Sequence, residues 1–285
     1  MPFGGELMAI GSAVAWALTS VAMRPIASRA LWRSSLLRML MCAALLALYA
    51  WPRGALQRAI SAPPEAFLLL LGSTVCSMGV GDSLYFLSAA RIGVARALPI
   101  AAAFPLLSTL GAVTLLHEAL TPALLLGTAL VVSAVTLIAG DRVRDGRRTE
   151  PLGVLLAGLA ACMWAASGLF LGPALQLVDP IEGNMIRFPM AAAMFVFYMA
   201  FARPAEQLDA RLVWLTVAAA VGTLASALMF LGGITGAGVA RGVALNATSP
   251  VFSAIFAALL LGERVSQRVA LGIAASVVGT ILLVT

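Results

Sequence analysis

At 285 residues, with 62% of them hydrophobic and 11% charged, and with a mean hydropathy of +1.03, the chain is too apolar for a soluble domain. Its formal net charge of +6 rests on 18 arginines and no lysine. All but Arg38 and Arg187 sit in or beside the breaks between apolar runs rather than on one basic face, which argues against a nucleic-acid partner.

Crossing the hydrocarbon core takes about 20 apolar helical residues. Runs of that length cover 5–23, 31–51, 66–89, 94–116, 121–140, 151–172, 181–202, 210–231, 237–261 and 266–285, which predicts ten transmembrane helices. They are read as helices because a stretch such as Leu124 to Ala139 is apolar or small on every face, where a barrel strand alternates. The first run has no basic leader and no small-x-small cleavage site, so it is read as a span and not as a signal peptide.

In the first span Trp16 lies deep, away from the interfaces where membrane tryptophans gather. It is a candidate for stacking on a solute or closing a gate, with packing as the alternative. Arg38 lies just inside the second span, as a gate candidate or as an arginine reaching out to the headgroups. The third carries Asp82, the one acid well inside a span. A carboxylate at that depth costs about 2.5–3.5 kcal/mol on insertion scales. Proton coupling or cation binding would justify it; an ion pair with Arg38 or Arg96 is the structural alternative. Tyr85, three residues on, shares its helix face. Gly81-Asp82-Ser83-Leu84 also spells an esterase motif, but the serine falls in an apolar helix and His117 is the sole histidine, so no enzyme is expected.

Pro105 in the fourth span and Pro250 in the ninth each remove a helix hydrogen bond and free the carbonyl four residues back, at Ala101 and Asn246. Freed carbonyls suit a cavity wall, and Asn246 adds an amide there; kinks that only shape packing are the other reading. Trp164 in the sixth span and Arg187 in the seventh occupy places that match Trp16 and Arg38. Cys42, Cys76 and Cys162 lie in apolar runs without metal-ligand spacing, so neither a disulfide framework, a metal nor a cofactor is expected. Glycines at GxxxG spacing, such as Gly168 with Gly172 and Gly232 with Gly236, are read as close-packing surfaces.

With alternate loops assigned to opposite sides, thirteen arginines fall on one side and three on the other. The arginine-rich side should be cytoplasmic, which puts both termini outside. The segment 141–150, with Arg142, Arg144, Arg147 and Arg148, reads as a topology anchor between two halves, 1–140 and 151–285.

Those halves repeat. Gly93-Val94-Ala95-Arg96 recurs as Gly238-Val239-Ala240-Arg241, an offset of 145 that also carries Pro105 to Pro250, Glu118 to Glu263 and Gly127 to Gly272. Trp16 maps to Trp164 at an offset of 148 and Arg38 to Arg187 at 149. Five spans per half is an odd number, so the second half enters the membrane from the opposite side. Inverted repeats can exchange conformations around one central site.

The proline, the junction glutamate and the following glycine, appearing twice, together with Gly93-Val94-Ala95-Arg96, His117-Glu118-Ala119-Leu120-Thr121 and Leu261-Gly262-Glu263-Arg264, resemble the EamA family of the drug/metabolite transporter superfamily over essentially the whole chain. The resemblance implies an all-α, ten-helix carrier whose helices 1, 3, 4, 6, 8 and 9 line a central cavity, with helices 5 and 10 peripheral. The expectation is a secondary active transporter of the bacterial inner membrane, a monomer or homodimer in membrane lipid. It would export a small metabolite, an amino acid or related compound, by alternating access with protons as coupling partner. A lipid flippase is the alternative.

Overall fold

The computed structural model describes residues 4–27, 29–92, 97, 100–140, 150–202, 205–249, 251–252, 255–256, 259 and 266–284. The expectations attached to Gly93 to Arg96, Arg142 to Arg148, Pro250 and Glu263 lie outside the described residues. Every described element is helical: α1 Gly4–Ala27, α2 Leu31–Ala50, the short α3 Ala55–Ile60, α4 Pro64–Thr74, α5 Asp82–Ile92, α6 Phe104–Leu115, α7 Pro122–Gly140, α8 Pro151–Leu177, α9 Pro180–Ala202, α10 Ala210–Asn246 and α11 Gln267–Val284. Six described helical stretches are long and apolar enough to cross a membrane, and Phe104–Leu115 and Pro122–Leu137 are shorter apolar helices.

Local chemistry starts these helices where the sequence breaks them. Pro64 and Pro151 occupy first turns, where the missing N–H is no loss. Asp209 Oδ1 accepts from Leu212 N at 2.8 Å, and Asp179 Oδ1 accepts from Ile181 N and Glu182 N while Glu182 Oε2 accepts from Asp179 N. Thr121 Oγ1 caps α7 through Leu124 N, and Ser266 Oγ caps α11 through Val269 N, two caps related by the 145-residue offset.

Three elements differ from the reading of the sequence. α4 and α5 are one continuous helix through a π-helical segment, Val75–Gly81, directly before Asp82. α8 runs through Pro173 to Leu177 instead of stopping at 172, since neighbouring helices can take up a proline's disruption in a bundle. α10 holds two runs in one element: Gly238, at φ 83° and ψ 168°, reverses the chain, and a Cβ placed on Gly242 would lie 3.2 Å from the Ile234 Cα. Only glycine takes that backbone conformation readily.

Contacts along the helices fix their relative directions. α1 runs antiparallel to the first arm of α10: Gly5 touches Gly236, Gly11 faces Met229 and Ser12 bonds Ser226. α2 runs with that arm, from Ala30 beside Leu212 to Cys42, whose Sγ donates to the Ala220 carbonyl at 3.3 Å. α9 opposes α2: Trp32 near the start of α2 lies 4.2 Å, ring centre to ring centre, from Tyr198, and Arg58 of α3, past the far end of α2, bonds to Glu182. α4 and α5 run with α9, Leu70 lying beside Gly183 and Ser77 beside Arg187. They oppose α8: Ser73 meets Ser167, Asp82 meets Trp164 and Arg91 pairs with Glu150. α7 and α11 cross at Gly127 and Gly279.

One junction ties the halves together. α6 ends with His117 at φ 55° and Glu118 N bonded back to Ala112 O, an αL ending that swings Glu118 outward. The Glu118 carboxylate then accepts from Val239 N at 2.7 Å and Ala240 N at 3.0 Å, capping the second arm of α10 just past the Gly238 reversal. Hydrogen bonds to a charged group contribute about 1.5–3 kcal/mol. Glu118→Gln is therefore expected to lower the thermal unfolding midpoint in detergent by a loss of that order, read by tryptophan fluorescence. An unchanged midpoint would show that the cap contributes nothing.

Candidate solute-binding site

The π segment shapes the site. Its wider turn bonds Asp82 N to Ser77 O, so Ser77 and Asp82 stack on one face of the helix. Gly81 lets the α8 indole come close, since a Cβ there would stand 2.7 Å from Trp164 Cδ1. Trp164 Nε1 donates to Asp82 Oδ1 at 3.0 Å. Around that indole stand Tyr85, with ring centroids 5.4 Å apart, and Phe104, edge-on at 5.8 Å. Asp82, Tyr85, Trp164 and Phe104 are neither buried nor fully exposed.

A second polar group lies on α1 and α10. Asn246 Nδ2 donates to Ser12 Oγ at 2.8 Å, and Ser12 and Ser226 exchange hydroxyl-to-carbonyl bonds of 2.8 and 3.0 Å. Trp16 follows Ser12 by four residues on the same face, and the Arg38 guanidinium lies 5.8 Å from the centre of its ring. Arg38 Nη1 also donates to Thr223 Oγ1 at 3.2 Å. The charges of Arg38 and Asp82 interact, but the ion pair weighed from the sequence does not form; Trp164 and Thr223 take the two groups instead. Arg96, the other partner weighed, lies outside the described residues.

Arg187, on α9, matches Arg38 in kind: its Nη2 reaches Ser77 Oγ at 3.5 Å, as Arg38 reaches Thr223. It is only 4% exposed, so it does not extend to the headgroups. Trp16, at 41% exposure, has an open face, unlike its half-buried counterpart Trp164.

A helix break precedes Pro105, and a break recurs at the register-matched place after Asn246, while Pro250 lies outside the described residues. The chain turns at Ala102 and Ala103, and Pro105 is buried in the first turn of α6 and does not bend a continuous helix. Ala103 N bonds Ile100 O, Leu106 N bonds Ala103 O and Leu107 N bonds Ala103 O. After Asn246 the same three bonds recur, each shifted by 145: Thr248 to Leu245, Val251 to Thr248 and Phe252 to Thr248. Helix interruption at membrane depth is tolerated where it is buried in protein or lines a cavity.

The structure thus brings Asp82, Tyr85 and Trp164 into contact, sets Trp16 with Arg38, gives Asn246 to the serine pair and sets Arg187 one turn above Asp82. The sequence did not single out Phe104, Ser12, Ser77, Thr223 or Ser226; only hydroxyls recurring inside apolar spans hinted at the last four. A separate cavity of about 230 Å³ between α3, α4 and α9 has apolar walls, among them Leu56, Phe67 and Met190, and lies apart from these groups. Ser83 Oγ donates to Gly79 O at 2.6 Å within its own helix.

No curated protein matches the chain. A solved structure described only as "Crystal structure of protein" superposes with a TM-score of 0.84 over 98% of this chain and 95% of that one at 18% identity, a likeness of fold. The EamA-like transporter family matches twice, over residues 3–140 and 151–285. Two matches that leave only a few residues between and before them, on an all-helical and strongly apolar chain, make this protein a member of the EamA family of membrane transporters.

Proposed function

We propose that the chain is a secondary active transporter that exports a small metabolite, an amino acid or related compound, across the bacterial inner membrane, with Asp82 as the proton-coupling group. In this reading ten spans form two inverted five-helix repeats, 1–140 and 151–285, joined by 141–150, with both termini outside. Supporting the inversion, α1, α4–α5 and α9 share one direction while α2, α8 and the first arm of α10 share the other. The first three spans of one half thus oppose their counterparts in the other, the relation that lets two states of similar energy interconvert around one site.

The observation that carries the proposal is a lone carboxylate at bilayer depth, held by a tryptophan of the opposite half and flanked by aromatic rings and helix breaks matched in register. Trp16 and Trp164 would stack on the solute, Asn246 and Tyr85 would give it polar contacts, and Arg38 would stand at a gate. Proteoliposomes should show counterflow of at least one compound from a panel of amino acids, nucleosides and amines, above empty vesicles. Movement of a fluorescent lipid with no solute counterflow would replace this function with that of a flippase.

A further inference from the structure

Among the described residues Arg187 is the buried arginine whose charge nothing answers. It is 4% exposed, its Nε has no hydrogen-bond partner, and among the described residues its one polar contact is Ser77 Oγ at the long distance of 3.5 Å. Among the described residues no acid pairs with it, whereas Arg58 pairs with Glu182, Arg91 with Glu150 and Arg241 with Glu6. Arg38 also has a free Nε, yet it lies over the Trp16 ring, bonds Thr223 and shares its field with Asp82. Keeping an unanswered cation out of water costs several kcal/mol. A fold retains such a group where a ligand supplies the missing charge and acceptors.

The position fits a ligand. Ser77 is the residue whose carbonyl accepts from Asp82 N across the π turn, so Arg187 faces the same side of that helix as Asp82, one turn away. The charges of Arg38, Arg187 and Asp82 sum to one positive, which balances a single negative charge better than a doubly charged phosphate. The planar guanidinium, with donors to spare, matches a carboxylate.

We infer that Arg187 binds the carboxylate of the transported solute, so that the cargo is a small water-soluble carboxylic acid or amino acid anchored between Arg187 and the Trp164–Tyr85 rings. This rests on the transport reading above. The test is equilibrium binding in neutral detergent, followed by tryptophan fluorescence, of two matched probe pairs: benzoate with benzamide, and N-acetylglycine with N-acetylglycinamide.

The wild-type protein should bind at least one carboxylate at least about tenfold more tightly than its amide. Arg187→Gln should abolish that preference, and Arg187→Lys, which keeps the charge on a fold-preserving side chain, should restore part of it. Equal binding of acid and amide, no binding of either, or full carboxylate affinity in Arg187→Gln would each overturn the inference. So would stabilisation by added phosphatidylglycerol alone, which would assign the site to a lipid headgroup. Because binding is measured without transport, a protein that holds the carboxylate through Arg187 but shows no counterflow would refute the transporter reading and leave the anion site standing.

Discussion

Asp82→Asn is expected to reduce solute accumulation driven by a pH gradient at least about tenfold in proteoliposomes, equivalent to about 1.4 kcal/mol, while solute counterflow without a gradient persists. Asparagine has nearly the shape of aspartate and keeps the oxygen that accepts from Trp164 Nε1 at 3.0 Å. The packing of Trp164 against Tyr85 and Phe104 should therefore survive, and with it the proposed solute site. The variant loses only the capacity to bind and release a proton. A gradient can bias an exchange between two states only through a group whose proton affinity differs between them, since a ligand shifts an equilibrium by no more than its differential affinity. Among the described residues no other acid lies at this depth: Glu6 and Glu182 occupy first turns of their helices, and Glu118 sits at a junction. If Asp82→Asn accumulates solute as well as the wild type does, proton coupling through this carboxylate is ruled out, and counterflow in the same vesicles shows that the protein is folded.

The six spans that the long apolar helices match were legible because a run of about 20 apolar residues is a complete signal for a membrane helix. Leu31–Ala50 and Gln267–Val284 fall within a residue of the boundaries read from hydropathy. The 145-residue offset was legible too, and it reaches further than the motif that revealed it: the Thr121 and Ser266 caps and three hydrogen bonds at each helix break obey it. Backbone breaks follow from proline and from small residues, and these are written locally.

What escaped depends on geometry that hydropathy does not encode. An i→i+5 bond uses the same apolar residues as an i→i+4 bond, so Val75–Gly81 reads as ordinary helix, although its wider turn is what stacks Ser77 on Asp82. Gly238 reads as the second residue of the ninth span, 237–261, yet its positive φ turns the chain there. Asp82 and Trp164 were both singled out, but their bond needs α5 and α8 to oppose each other in the right register, a fact about tertiary packing. Phe104 went unnoticed because a phenylalanine in an apolar span carries no distinguishing mark; only its contact with Trp164 gives it a role.

The largest effect on stability is expected at the seam of α1 and α10, where Gly236→Leu should leave little folded protein to purify. A Cβ on Gly236 would lie 2.7 Å from Gly5 Cα and 3.1 Å from Gly5 N, so the obstacle is backbone, which cannot swing aside as a side chain can. Along the same seam a Cβ on Gly233 would meet Ala9 N, Cα and Cβ at 3.0 Å, and one on Gly232 would meet Met8 Sδ at 2.6 Å. In lipid no hydrophobic force drives one helix onto another, so close approach of small residues is itself the source of the attraction. Separating these helices would also stretch the bonds that join Ser12 to Ser226 and Asn246, beside the proposed solute site. Overpacking a well-packed contact costs about 1–3 kcal/mol even where side chains can yield; against backbone the cost should exceed that range. Gly158→Leu is the matched control, since a Cβ there meets nothing within 4 Å and the residue should accept the side chain without loss. Size-exclusion profiles and thermal midpoints of the two variants decide the matter: comparable monodisperse yields would mean that the seam bends freely and that its small residues do not hold the two halves together.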